Sequence, residues 1–170
     1  MIFIGLGANL PGRFGSPLET LQAAKKAMEQ RGIVITAGSR TWLTAPVPLS
    51  DQPWYHNEVV RIETCLSALQ LLEILQTIEE EFGRVRAVRN APRVLDLDLI
   101  AYKDEILNKP ELIVPHPRMH RRAFVLLPLQ EVAGHWEHPA LGMTLDDLIM
   151  NLCGDQEARP MELPSLQRAV

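Results

Sequence analysis

The stretch Arg-Val-Leu-Asp-Leu-Asp-Leu-Ile at residues 93–100 alternates apolar and acidic side chains from Leu95 onward. Alternation with a period of two is the pattern of a β-strand, so the leucines pack on one face while Asp96 and Asp98 project together from the other. A strand with one buried and one charged face is typical of an antiparallel sheet. The stretch therefore predicts both a strand and the kind of sheet that contains it.

Two predicted helices are marked at their first residues by the same sequence signature. In each, a serine is followed three residues later by Glu or Gln, which is the capping box of a helix N-terminus. Apolar residues then recur at helical spacing, and a glycine ends each run. The residues are Ser16, Glu19 and Gly32 for the first helix and Ser67, Gln70 and Gly83 for the second.

β-Branched and apolar runs predict three further strands, at residues 2–6, 33–43 and 59–63. With the aspartate strand, the order along the chain is strand, helix, strand, strand, helix, strand. This order matches the ferredoxin-like unit, in which an antiparallel sheet carries its helices on one face. We therefore expect an α+β fold of the ferredoxin-like class, elaborated by a C-terminal extension of short, proline-interrupted segments.

Length and composition limit the domain organisation and the classes of function. A chain of 170 residues, 46% hydrophobic and 22% charged, is expected to form one globular domain. We place that domain at residues 1–160 and a C-terminal tail at residues 161–170. The net charge of −4 argues against nucleic-acid binding, and no segment has the apolar length of a membrane span. We expect a cytoplasmic monomer, with Cys65 and Cys153 reduced.

The acidic face of the aspartate strand lies beside a concentration of basic residues. These are Arg84, Arg86, Arg89 and Arg93. Paired carboxylates next to guanidinium groups indicate a polyphosphate site, because Mg²⁺ takes carboxylates, water and substrate phosphates as ligands. An Asp-x-Asp pair by itself is more often the solvated face of an ordinary strand, so the interpretation depends on the arginines.

Two common nucleotide-binding loops are excluded by the sequence. Gly5-Leu6-Gly7 would need a third glycine where the chain has Leu10, so it is not a dinucleotide fingerprint. The chain also has no Gly-Lys-Ser/Thr sequence, and a Walker A loop is therefore excluded. Phosphate groups would have to be bound by side chains and metal.

Four separated motifs together resemble the 6-hydroxymethyl-7,8-dihydropterin pyrophosphokinases of folate synthesis. They are Arg84-Val85-Arg86, Pro92-Arg93-Val94-Leu95-Asp96-Leu97-Asp98, Val114-Pro115-His116 and Arg122-Ala123-Phe124. The segments at residues 5–10 and 51–57 resemble the same family in order and spacing. The resemblance spans most of the chain. It implies transfer of a pyrophosphoryl group from ATP to the pterin hydroxymethyl group, with release of AMP, on a ferredoxin-like fold that uses two Mg²⁺ ions.

The resemblance also implies roles for residues around the phosphates. Asp96 and Asp98 match the positions that bind the metal ions, and Arg84 and Arg93 match catalytic positions. Positions on the ATP side are matched by Gln76, Glu79, Arg86, His116 and Arg122. Residues 84–93 would then form a lid that closes over bound ATP.

On the pterin side, the resemblance implies a pair of stacking aromatic rings and an amide contact. Tyr55 and Phe124 match the two rings, and Asn57 matches the amide. Thr44 matches a loop position whose backbone contacts the pterin ring. The expected ligands of the protein are therefore ATP and the hydroxymethyl-dihydropterin.

Two other classes of function are compatible with a ferredoxin-like fold. One is a non-catalytic module that binds a ligand or RNA, although the chain has only 4 Phe and 2 Tyr and lacks the aromatic strand motif of RNA-binding sheets. The other is a metal-dependent phosphohydrolase or nuclease in which Asp96 and Asp98 activate water. Release of AMP only in the presence of a pterin would exclude both.

Overall fold

The computed structural model describes residues 1–46, 49–83 and 93–162. Its elements follow the chain in this order: β1 (Ile2–Ala8), α1 (Pro17–Glu29), β2 (Val34–Gly38), β3 (Trp42–Thr44), β4 (Tyr55–Glu63), α2 (Ala68–Glu81), β5 (Asp96–Tyr102), β6 (Leu107–Asn108), β7 (Ile113–Val114), a 3₁₀ turn (Met119–Arg121), α3 (Ala123–Ala133), β8 (Glu137–His138), β9 (Met143–Thr144), α4 (Leu145–Met150) and β10 (Ala158–Pro160).

The main sheet is antiparallel throughout the described residues. Its strand order is β10-β3-β4-β1-β5, and β2 also pairs with β4. Each helical crossover therefore connects two strands that have one antiparallel strand between them, which is the ferredoxin-like arrangement. The predicted fold class is confirmed.

The helices α1 and α2 cover one face of this sheet. Both begin with the predicted capping boxes, in which Ser16 and Ser67 accept the backbone N–H groups of Glu19 and Gln70. The chain leaves α2 through Gly83, whose φ of +90° suits glycine. Leu21, Leu71 and many other fully buried side chains form the core between the helices and the sheet. The capping boxes and the glycine at the end of α2 thus mark the same two helices that bury their apolar faces against the sheet.

The strand predicted at residues 33–43 is two strands. Ser39 interrupts it, because the Ser39 hydroxyl accepts the Val59 N–H while the Ser39 N–H donates to the Val59 carbonyl. A side-chain oxygen thus replaces a backbone acceptor in the ladder, and β2 and β3 pair separately with β4. The third predicted strand is β4, Tyr55–Glu63, which includes the alternation predicted at residues 59–63.

The opposite face of the sheet is covered by α3 and α4. Phe3, Val59 and Ile100 point to this side and pack with Leu126 and Leu129 of α3 in a second core. The prediction of helices on one face thus applies only to α1 and α2, because the proline-interrupted C-terminal part forms a further layer.

The single domain at residues 1–160 stays a prediction, and most of the predicted tail, residues 163–170, lies outside the described residues. Among the described helices, none is both long and apolar enough to cross a membrane.

Candidate active site

The strand β5 places its two aspartates beside the N-terminus of α3. Leu97 and Leu99 are buried on the side of α1 and α2, so Asp96 and Asp98 face the other way. A small cavity opens there between the sheet and α3. Its lining residues include Gly5, Gly7, Asn57, Asp96, Asp98 and Phe124. Three strands and one helix, far apart in sequence, therefore contribute to one site.

Each aspartate has a guanidinium group close to it. Arg93 NH1 lies 2.5 Å from Asp96 Oδ2, and Arg122 NH1 lies 3.8 Å from Asp98 Oδ2. The Asp98 side chain retains 36% of its exposure, so it remains accessible from the cavity. The sheet thus presents two carboxylates, with a cation beside each of them.

The two carboxylates of Asp96 and Asp98 suit a Mg²⁺ ion that takes its other ligands from water and substrate. They do not suit a metal ion whose ligands all come from the protein. In the described part of the chain, no group of three or more His, Cys, Asp or Glu side chains could hold a metal ion. Asp96 and Asp98 supply oxygen ligands from one strand face, and Mg²⁺ typically takes one or two carboxylates and completes its shell with water and phosphates. The residues present therefore fit a metal that arrives with a polyphosphate.

Two glycines of β1 form the floor of the cavity. Gly7 is paired with Asn57 on β4 and with Asp96 on β5, and Gly5 is paired with Asp98. A Cβ atom at position 7 would lie 2.9 Å from Asn57 Oδ1, closer than packed atoms allow. Glycine is therefore required at position 7 if the Asn57 amide is to keep its place.

The predicted pterin residues lie together on β3, β4 and α3. The Asn57 amide donates to Thr44 Oγ1 at 2.7 Å, and both side chains are buried. Tyr55 shares the Asn57 face of β4, and its hydroxyl donates to Gln52 Oε1 at 3.3 Å. Phe124 lines the cavity and has the Arg122 guanidinium 5.2 Å from its ring centroid. One amide and two aromatic side chains thus lie next to the aspartates.

His116 is held close to the same cluster. Its backbone N–H donates to the Ile100 carbonyl at 2.8 Å, and its Nδ1 accepts the Arg118 N–H at 3.2 Å. Burial, followed by the positive charges of Arg122 and Arg118, lowers the pKa of His116 to about 4. The imidazole is therefore neutral at pH 7, with Nδ1 already engaged as an acceptor.

The remaining predicted ATP residues do not all reach the cavity. Glu79 is 1% exposed on α2, and its carboxylate accepts the Leu97 N–H at 2.7 Å, which fixes β5 between the two aspartates. Gln76 is half-buried one turn earlier on α2. Arg84 and Arg86, with most of the predicted lid at residues 84–93, lie outside the described residues.

Asn9 is a site residue to which sequence reasoning assigned no role. It is 2% exposed; its Oδ1 accepts the Arg93 N–H at 2.8 Å and its Nδ2 donates to the Pro53 carbonyl at 3.1 Å. It therefore joins the segment that carries Arg93 to the segment before Tyr55. The available signal was a polar residue directly after a buried strand, at the end of the sheet.

A larger cavity, of about 490 Å³, lies elsewhere, between α1 and the end of α2. Its lining includes Arg13, Phe14, Lys26 and Phe82, and it contains none of the residues predicted to bind ATP, pterin or metal. Size alone would therefore select a cavity that contains none of these residues, whereas the chemistry of the side chains favours the cavity at Asp96 and Asp98.

The sequence of this chain is similar to those of known pterin pyrophosphokinases. The family model for 7,8-dihydro-6-hydroxymethylpterin-pyrophosphokinase matches residues 3–134. The 2-amino-4-hydroxy-6-hydroxymethyldihydropteridine pyrophosphokinase of Haemophilus influenzae is 45% identical over 132 residues, which are 77% of this chain and 80% of that protein. The enzyme of the same name from Bacillus subtilis is 39% identical over 146 residues, covering 85% of this chain and 84% of that protein.

Other similar proteins are longer than this chain. The folic acid synthesis protein fol1 of Pneumocystis carinii is 35% identical over 167 residues, which are 98% of this chain but 22% of that protein. A crystal structure of Plasmodium falciparum HPPK-DHPS has a TM-score of 0.68 at 14% identity, covering 86% of this chain and 44% of that one. The structural match supports the fold, and the sequence matches concern the activity.

Proposed function

This chain belongs to the 7,8-dihydro-6-hydroxymethylpterin-pyrophosphokinase family, and we propose that it transfers a pyrophosphoryl group from ATP to 6-hydroxymethyl-7,8-dihydropterin. The products are the pterin diphosphate and AMP. The observation that carries the proposal is that Asp96 and Asp98 line one cavity with Asn57 and Phe124 and that Arg93 and Arg122 lie beside these aspartates. Phosphate-binding and ring-binding groups therefore lie within one site.

The phosphate side of the proposed site is built from carboxylates and guanidinium groups. We assign Asp96 and Asp98 as ligands of two Mg²⁺ ions, which when bound neutralise phosphate charge and orient the β-phosphorus. Arg93 and Arg122 already lie beside these aspartates, where their guanidinium groups could bind phosphate oxygens of ATP. Arg84 and Arg86 complete the proposed set, and the first of them is assigned a catalytic role.

The residues proposed to bind the pterin would position its ring and would not act as acids or bases. Stacking between Tyr55 and Phe124 would hold the ring, and the Asn57 amide, oriented by Thr44, would select its hydrogen-bonding edge. Phosphoryl-type transfer depends mainly on alignment and charge stabilisation. Placing the pterin hydroxyl opposite the phosphates is therefore the main contribution of these residues to the rate.

The ATP side of the site is also assigned Gln76, Glu79 and His116. A neutral His116 can hydrogen-bond to ATP without adding charge, which agrees with its lowered pKa. Glu79 contributes through β5, since its carboxylate accepts the Leu97 N–H. We further propose that the protein is a monomer in the cytoplasm, where ATP is available as a substrate. Light scattering of the purified protein tests the monomer.

Incubation with ATP, Mg²⁺ and 6-hydroxymethyl-7,8-dihydropterin, followed by chromatography of the nucleotides, tests the function. We expect one AMP per pterin diphosphate, and no AMP when either pterin or Mg²⁺ is omitted. Formation of ADP or free phosphate without pterin would instead indicate a phosphohydrolase. No turnover, combined with pterin binding, would indicate a binding module.

A further inference from the structure

Arg122 and Phe124 belong to a short backbone segment in which a 3₁₀ turn is followed directly by α3. Arg122 is a single extended residue, with φ −119° and ψ 107°, between the 3₁₀ turn and α3. Its own side chain does not cap the helix. The direction of the Arg122 side chain therefore depends on what holds the two peptide groups on either side of it.

One side chain holds both of these peptide groups. Gln156 Oε1 accepts the Ala123 N–H at 2.9 Å, and Gln156 Nε2 donates to the Arg121 carbonyl at 2.9 Å. The first contact satisfies an N–H group at the start of α3 that has no partner within the helix, and the second satisfies the end of the 3₁₀ turn. The Gln156 amide thus bonds to the backbone on both sides of Arg122, whose guanidinium faces Asp98.

The backbone that carries Gln156 is attached to the opposite wall of the cavity. The Glu157 carbonyl accepts the Ala45 N–H at 3.0 Å, and Ala158 pairs with Thr44. Thr44 in turn accepts the Asn57 amide. The segment from Gln156 to Ala158 therefore connects the start of α3, on one side of the cavity, to the residue that orients Asn57 on the other.

We propose that Gln156 is a positioning residue that sets the distance between Arg122 and Phe124 at the start of α3 and the pterin-binding Asn57 on the other side of the cavity. The inference rests on the function proposed above, and it concerns a residue beyond the region that matches the family model, which ends at residue 134. Gln156 touches neither reactant; it acts through the peptide groups of Arg122. Small displacements of aligned groups are costly in such reactions, since alignment supplies much of the rate.

The substitution Gln156→Met tests this role, because methionine keeps the length of the side chain and removes both hydrogen bonds. We expect KM to rise for both ATP and pterin, roughly three- to tenfold each, while kcat changes less. The variant Gln156→Glu keeps the acceptor for the Ala123 N–H and loses the donor, so its KM values should lie between those of Gln156→Met and the wild type. Glu157→Gln, at the adjacent exposed position, should match the wild type.

Amide hydrogen exchange of the protein without ligands supplies a second readout. The Ala123 amide should exchange faster in Gln156→Met and near the wild-type rate in Gln156→Glu, with α1 and α2 unchanged. This readout does not depend on turnover, so a wild type that makes no AMP would refute the proposed function while the Ala123 exchange still tested Gln156.

Unchanged KM values in a folded Gln156→Met, or a loss of activity that only follows a lower melting temperature, would overturn the role of Gln156. Unchanged exchange at Ala123 would overturn it as well. If Gln156→Met does not fold, Gln156→Glu decides: raised KM values support the role, and wild-type values overturn it.

Discussion

Asp98 lies on the open face of β5, where its carboxylate contributes to the site more than to the core. Its side chain is 36% exposed and has one guanidinium nitrogen of Arg122 at 3.8 Å. A carboxylate in this half-exposed position can be replaced by an amide without leaving a void, because asparagine has nearly the same size. Chemistry and stability are therefore separable at this residue.

We predict that Asp98→Asn lowers kcat/KM for pyrophosphoryl transfer by at least about a hundredfold, because the amide is a poor ligand for a hard cation. The melting temperature should change by less than about 2 °C. AMP formation and thermal unfolding measure the two effects. Asp104→Asn, at an exposed position two residues after β5, serves as the control. Turnover within a few-fold of the wild type in Asp98→Asn would contradict the metal assignment.

A substitution at Gly7 tests the role of the Asn57 amide in pterin binding. In Gly7→Ala the new Cβ would displace the Asn57 amide, whose Oδ1 would lie 2.9 Å away, and break its hydrogen bond to Thr44. We expect KM for the pterin to rise roughly tenfold, with a smaller effect on KM for ATP.

The matched control for this substitution is Gly38→Ala, where the nearest heavy atom to an added Cβ is Val60 Cγ1 at 3.8 Å. This variant should retain the wild-type KM for the pterin. An equal effect of the two substitutions would show that the loss is general rather than local to Asn57.

At the scale of elements, the position of β5 depends on α2. β5 is the last strand in the order of the main sheet, and an edge strand has one row of backbone groups without a neighbouring strand. The Leu97 N–H lies between the two aspartates along the chain and donates to the buried Glu79 carboxylate. The helix therefore supplies the partner that a further strand would otherwise provide.

We predict that Glu79→Ala lowers the free energy of unfolding by about 2 kcal/mol, because it leaves the Leu97 N–H buried without an acceptor. The Leu97 amide should also exchange faster with solvent. The neighbouring exposed residue gives the comparison, since Glu80→Ala should cost less than about 0.5 kcal/mol. Urea unfolding of both variants measures the difference, and equal costs would refute the role of Glu79 in holding β5.

Several helix ends and strands could be predicted from local sequence patterns alone. Both capping boxes, the glycine end of α2 and the alternation in β5 rest on contacts within a few residues, so they were readable before any tertiary contact was known. The interruption between β2 and β3 at Ser39 could not be predicted, because it depends on a hydrogen bond with Val59 on another strand. Short-range chemistry predicted the elements, and long-range pairing decided their limits.

At the scale of the whole molecule, three histidines couple stability to pH. Burial is the largest cause that lowers the pKa of His56, His116 and His138, and for His116 the value is about 4. When the chain unfolds, these groups regain an ordinary pKa near 6.5 and bind protons. The unfolded state therefore binds more protons below pH 6.5, and stability must rise with pH in that range.

We predict that the free energy of unfolding is highest above pH 6.5 and falls as pH decreases toward 4. His116 contributes at most about 1.4 kcal/mol per pH unit, the value for one proton. Urea unfolding at pH 7, 6 and 5 measures the slope, and His116→Gln should flatten it. His135→Gln, at an exposed position, is the control. An unchanged slope in His116→Gln would show that His116 is not buried in its neutral form.

The site was predictable only as a set of residues. Asp96 and Asp98 could be placed on one face because a strand alternates with a fixed period. The neighbours that complete their environment come from β1, β4 and α3, and no local pattern connects Gly7, Asn57 and Phe124. Asn9 and Gln156 were not assigned because their roles are hydrogen bonds to backbone groups 84 and 33 residues away, respectively.

The sequence by itself determined the ferredoxin-like order of strands and helices, the helix starts and the acidic face of β5, because these follow from periodicity and from groups a few residues apart. Only the tertiary structure decided that α3 lies on the aspartate face of the sheet and that Arg122 faces Asp98. It also decided that Gln156 holds the start of that helix. These arrangements depend on burial and hydrogen bonding between distant segments, and such contacts exist only once the chain has closed around both faces of its sheet.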